Sequence, residues 1–89
     1  MIDRRDGGMV RAVVAEIQGY LIAHEQDYLP VQYWVTETLA GELWVFTELN
    51  PLLEGFFRSE RVEELAARLK KPVYCCRRDG FHLAVMVTG

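Results

Sequence analysis

From Met9 onward apolar residues return with helical spacing. Val10, Val13, Val14, Ile17 and Leu21 follow the i, i+3, i+4, i+7 series of one stripe, with His24 at its edge. The pattern predicts a helix over 9–26. Gly19 falls half a turn away from the stripe, where it lowers helix propensity without leaving a hole. Leu29 precedes Pro30, which pushes it out of the helical region and closes the segment. Residues 1–8 have mixed charges and the pair Gly7-Gly8, with nothing to pack, and are expected to be a disordered leader to a single domain over 9–89. Arg4-Arg5 have no apolar stretch behind them, so this start does not have the pattern of a secretory signal.

The period then changes. Residues 31–38, Val-Gln-Tyr-Trp-Val-Thr-Glu-Thr, are β-branched and aromatic with no helical stripe, and 42–49, Glu-Leu-Trp-Val-Phe-Thr-Glu-Leu, read the same way. Leu39-Ala40-Gly41 between them suits a three-residue hairpin loop that closes on a left-handed glycine. That loop length sets Thr38 against Glu42, Thr36 against Trp44, Val35 against Val45 and Trp34 against Phe46. A two-residue Ala40-Gly41 turn would shift every pair by one and mix the faces.

Asn50-Pro51 signals a short helical turn, with Asn as cap and Pro at the first position, and Gly55 ends it. Leu52, Leu53, Phe56 and Phe57 make this connection too apolar for a solvated loop. Ser59 is the expected cap of a second helix over 59–71, with stripe Val62, Leu65, Ala66 and Leu69, acids at its start and bases at its end. Pro72 stops it. Residues 73–78 and 81–87 are two more strands around Asp79-Gly80, a strong hairpin signal. A two-residue turn there would pair Arg78 with Phe81, Cys76 with Leu83, Cys75 with Ala84 and Tyr74 with Val85.

The order α-β-β-α-β-β predicts an α+β two-layer sandwich, with two helices on one face of a four-stranded antiparallel sheet. In topology it is the ferredoxin-like order with the first strand moved to the end, which places the second and fourth strands at the centre. On the expected registers one sheet face collects Val31, Tyr33, Val35, Leu43, Val45, Leu49, Tyr74, Cys76, Phe81, Leu83, Val85 and Val87, and buries against the helices. The other collects Trp34, Trp44, Phe46, Val73, Cys75, Ala84 and Met86, fringed by Gln32, Thr36, Thr38, Glu42, Glu48, Arg77 and His82. In a two-layer monomer that outer face meets water and is polar. Here its middle is aromatic and aliphatic, beyond what monomers usually leave open.

Composition narrows the function classes. Of 89 residues, 51% are apolar and 26% charged, enough for a core in one small domain. The longest apolar runs are too short to span a bilayer, so no membrane role is expected. Net charge is −3, which argues against a dedicated phosphate-binding surface. The two cysteines, Cys75 and Cys76, are adjacent and would strain a mutual disulfide, which fits a reducing, cytoplasmic setting.

No residue pattern demands chemistry. His24 reads as a boundary histidine with one hydrogen bond. Cys75 and His82 are a conceivable nucleophile and base, but the expected register makes them only diagonal neighbours, with no third group to orient them. Glu60, Glu63 and Glu64 read as a solvated helix start. Cys-x-x-Cys spacing and Gly-rich phosphate loops are absent from the sequence. No catalysis, metal or cofactor is expected.

The expectation is therefore a small binding or assembly module: a regulator, an inhibitor or an accessory subunit. It would be a homodimer or part of a complex, joined through Trp34, Trp44, Phe46, Val73, Cys75, Met86 and His82 on the outer face. Two alternatives use the same face. One is a single-stranded nucleic-acid binder, with bases on the rings and Arg77-Arg78 on phosphates, opposed by the acidic balance. The other is a small-ligand sensor.

Overall fold

The computed structural model describes residues 4–88, and side chains from residue 7 onward; residues 1–3 of the expected leader lie outside this range. Seven elements follow in order: α1 (Arg4–Ala23), β1 (Gln32–Glu37), β2 (Leu43–Leu49), a 3-10 turn (Pro51–Glu54), α2 (Ser59–Leu69), β3 (Val73–Cys76) and β4 (Phe81–Thr88). All strand pairs are antiparallel and the sheet order is β1-β2-β4-β3. The expected α+β sandwich is the observed one, with β2 and β4 central. No helix among the described residues is long and apolar enough to cross a membrane.

α1 starts at Arg4 rather than Met9, so residues 4–8 belong to the helix. It also ends early, at Ala23, on a specific device. Glu25 adopts the left-handed conformation (φ 57°), its N–H reaches the Ile22 carbonyl, and the Gln26 N–H reaches the Leu21 carbonyl. This is a Schellman stop built on a glutamate where glycine is usual. α2 begins at Ser59 with Arg58 as cap, without a side-chain cap bond, and stops at left-handed Lys70 (φ 58°). The turn at Pro51 forms as its residues require: the Asn50 side chain accepts from the Leu52 N–H at 2.9 Å.

The core lies between the helices and one sheet face. α1 contributes Val10, Val13, Ile17, Tyr20 and Leu21, α2 contributes Leu65, and the connection contributes Leu53 and Phe57. Leu52 turns to solvent. From the sheet come Val45, Leu49, Val73, Phe81, Leu83, Val85 and Val87. Thr47 shares this face and is fully buried, and its Oγ1 has no hydrogen-bond partner among the described residues.

The first hairpin has the expected register: Trp34 faces Phe46, Val35 faces Val45 and Thr36 faces Trp44. Gly41 takes a positive φ of 84° and its N–H bonds the Thr38 carbonyl, which closes the three-residue loop. The second hairpin is one residue out of the expected register. Val73 pairs with Val85, Tyr74 with Ala84, Cys75 with Leu83 and Cys76 with His82. Asp79 and Gly80 both have positive φ, but the loop also takes in Arg78. A one-residue shift exchanges the faces of a strand. Val73 and Cys75 therefore pack toward the helices, and Tyr74 and Cys76 turn outward. The physical reason is the hydroxyl of Tyr74, which a dry core would have to satisfy; Val73 fills that place with no polar atom to bury.

The helix layer lies over β2, β4 and β3. β1 sits at its margin, and Val31 and Tyr33, expected in the core, are exposed.

Candidate functional site

The outer sheet face is ordered in rows across the strands. One row runs Trp34, Phe46, Ala84, Tyr74, and the next runs Gln32, Glu48, His82, Cys76. Ala84 is the small member at the centre. Its short side chain leaves a dip between aromatic neighbours, and the dip opens into a groove of about 430 Å³. Trp44, Phe46 and Tyr74 line it on the apolar side, and Thr36, Thr38 and Glu42 on the polar side. Trp44 and Tyr74 approach with ring centroids 5.8 Å apart, and the Trp44 indole Nε1–H donates to Glu42 Oε1 at 3.3 Å. Tyr74 is 57% exposed.

Trp34 stands at the β1 end of the first row, beyond the groove. It stacks on Phe46 at 5.8 Å with planes 10° apart, and reaches across β2 to His82 on β4. His82 is buried to 6% exposure beneath it, with Gly80 close to the edge of its ring. Trp34 itself remains 40% exposed.

Of the residues expected to form this face, Trp34, Trp44, Phe46, Met86 and His82 are on it. Val73 and Cys75 are not, because the second hairpin is shifted. Arg77 is also off the face. It pairs with Glu54 at 3.4 Å and lies over the Phe81 ring, on the helix side. Tyr74 takes their place, unforeseen because the expected register put it inside. Glu42 and Glu48 lie along the outer face, the latter accepting from Gln32 Nε2 at 2.7 Å.

The candidate nucleophile pair separates. Cys75 faces the helices while His82 faces outward, and burial pushes the Cys75 thiol above its usual pKa, with Arg77 opposing and Glu54 reinforcing the shift. Cys76, not Cys75, stands opposite His82. His24 is held by its own helix: the Tyr20 carbonyl accepts from Nδ1–H at 2.8 Å.

A polar cluster that the sequence pattern did not flag lies between the helices. The Tyr20 hydroxyl donates to Glu64 Oε1 at 2.5 Å, and His24 Nε2 lies 3.9 Å from the same oxygen. Arg61 stacks over Phe56 at 4.3 Å. Burial, then the Glu64 carboxylate, raise the Tyr20 pKa, against an opposing pull from Arg61. Tyr20 stands at i+3 from Ile17 and was within reach of the helical period; its partner is 44 residues away and was not.

Compared with protein-family models, curated proteins and solved structures, the chain matches none.

Proposed function

We propose that the chain is a non-catalytic protein-interaction module, and that its docking surface is the outer sheet face. The observation that carries this reading is the aromatic row itself. Trp34, Trp44, Phe46 and Tyr74 sit on the sheet side away from both helices, and the last three line a groove together with Ala84. Aromatic anchors beside a small pocket, with polar groups at the rim, are the features of interface hot spots.

The rim defines the partner's chemistry. Glu42 and Glu48 border the rings, and Arg77 is engaged on the far side of the sheet. Stacking two copies face to face brings like charges together. A partner that carries apolar side chains with lysine or arginine beside them meets no such conflict. The same acidic border disfavours the phosphates of a single-stranded nucleic acid. Non-catalytic use is supported by the side chains best placed for chemistry: the Cys75 thiol is pushed toward its protonated form, and His82 is packed under Trp34.

Panning a random peptide library on the full chain tests this reading. The expected enriched peptides combine apolar residues with Lys or Arg and lose binding to a folded Trp44→Glu variant. Enrichment of acidic peptides, or binding that Trp44→Glu leaves intact, contradicts it. So does quenching of tryptophan fluorescence by a single-stranded oligonucleotide that salt abolishes.

A further inference from the structure

The exposed apolar side chains of this protein are not spread evenly. Nine large hydrophobics are exposed among the described residues, and six of them, Tyr28, Leu29, Val31, Tyr33, Trp34 and Leu39, belong to β1 or its flanks. β1 is also an edge strand at the margin of the helix layer, at one end of the sheet. Natural edges are usually blunted by lysine, proline, a bulge or short length. Gln32–Glu37 holds no lysine, arginine, proline or glycine, pairs with β2 without a register break, and is longer than the opposite edge strand β3.

The backbone of this edge is ready to pair. The Thr38 N–H donates to the Glu42 carbonyl at 2.9 Å, which identifies Thr38–Glu42 as a bonded pair. Alternation along an antiparallel ladder makes Thr36–Trp44, Trp34–Phe46 and Gln32–Glu48 the other bonded pairs. The N–H and C=O groups of Tyr33, Val35 and Glu37 then point away from β2, to the open side.

We propose that a second copy of the chain occupies this edge, β1 against β1 and antiparallel, with Trp34 on the two-fold axis, so that two four-stranded sheets become one of eight strands. The side chains select the copy and the register. With Trp34 opposite its symmetry mate, Tyr33 meets Val35 in a bonded pair and Gln32 meets Thr36, while Glu37 lies beyond the paired stretch, beside Val31, whose own N–H is held by the Glu48 carbonyl of its sheet. The same register carries the Leu29 end of each strand toward the Leu39 hairpin tip of the other. Tyr33 and Trp34 thus meet apolar side chains across the seam, and the one carboxylate of the strand, Glu37, meets no other carboxylate. A standard interface buries roughly 800 Å² per partner, and the exposed side chains of Tyr28, Leu29, Val31, Tyr33, Trp34 and Leu39 are what this edge brings to it.

This goes beyond docking on the outer face and is separable from it. Tyr33 is on the helix side of β1, and Trp44 is on the outer side of β2. Sedimentation equilibrium of the full chain, from micromolar to submillimolar concentration, is expected to give twice the chain mass. Tyr33→Lys, at a position 44% exposed, is expected to give a folded monomer that still binds the panned peptides. Trp44→Glu is expected to keep the dimer. A wild-type monomer throughout overturns the proposal, and so does a dimer that Trp44→Glu splits while Tyr33→Lys preserves it. The register has its own test in a Cys75→Ala, Cys76→Ala background of unchanged circular dichroism. Trp34→Cys places two Cα atoms at cross-strand distance on the axis, within disulfide reach, and is expected to form a covalent dimer on oxidation. Val35→Cys is offset from its mate and is expected to stay reduced. Cross-linking at Val35 and not at Trp34 overturns the assigned axis.

Discussion

Trp34 and His82 meet nearly at right angles, ring centroids 5.0 Å apart and planes 75° apart, although β2 lies between their strands. The tryptophan covers the histidine, which is why a polar ring is buried on the face that has no helices over it. Trp34→Ala is expected to cost about 1–2 kcal/mol, since the ring is only partly buried. It should also remove the ring-current shift of the His82 ring protons. Urea unfolding and a proton spectrum check both; an unchanged midpoint with an unchanged His82 signal would sink this contact.

Thr47 presents the opposite situation, a buried hydroxyl in an apolar layer with no partner among the described residues. Valine has the same shape without the oxygen. Thr47→Val is expected to stabilise the fold by about 1 kcal/mol, the size of an unsatisfied polar group in mutational series. A lower denaturation midpoint would show that the hydroxyl is bonded in solution.

Both helices stop on non-glycine residues in the left-handed region, Glu25 and Lys70. Glycine adopts that conformation without strain. Glu25→Gly and Lys70→Gly are each expected to raise stability, by up to about 1 kcal/mol after the added flexibility of the unfolded chain is counted. A loss of helix signal on either change would contradict the stop geometry.

These two stops also explain part of what the sequence left illegible. Without a glycine at either place, the sequence extends the two helices to Gln26 and Lys71, and only the backbone conformation ends them sooner. The first hairpin was readable because Leu39-Ala40-Gly41 admits one good loop and both strands then sort cleanly. The second was not. Asp79-Gly80 fits loops of two lengths, and Val73, Tyr74, Cys75 and Cys76 offer apolar character to either face. Packing against the helices decided it, and packing is not written in β3 itself. Three of the aromatic anchors, Trp34, Trp44 and Phe46, followed from the first hairpin; the fourth, Tyr74, depended on the second.

Burial of Tyr20, reinforced by its bond to Glu64, gives a pH dependence. The folded pKa of Tyr20 is raised, so the folded state holds the phenolic proton more tightly than the unfolded chain. The stabilisation is complete below the ordinary tyrosine value of about 10 and is lost as pH climbs through the raised folded value. Tyr20→Phe is expected to cost about 1 kcal/mol at neutral pH and to flatten the fall in melting temperature above about pH 10. An alkaline limb identical in the two proteins would show that Tyr20 does not contribute to it.

Docking on the outer sheet face is tested most directly by amide and indole chemical shifts of the isotope-labelled chain, recorded as a panned peptide is added. The expected changes centre on the Trp44 indole N–H, with Thr36, Phe46, Tyr74 and Ala84 around it, and leave α1 and α2 unmoved. Shifts confined to the helices, or to the separate cleft between Ser59 and Arg77, would contradict a docking surface on that face.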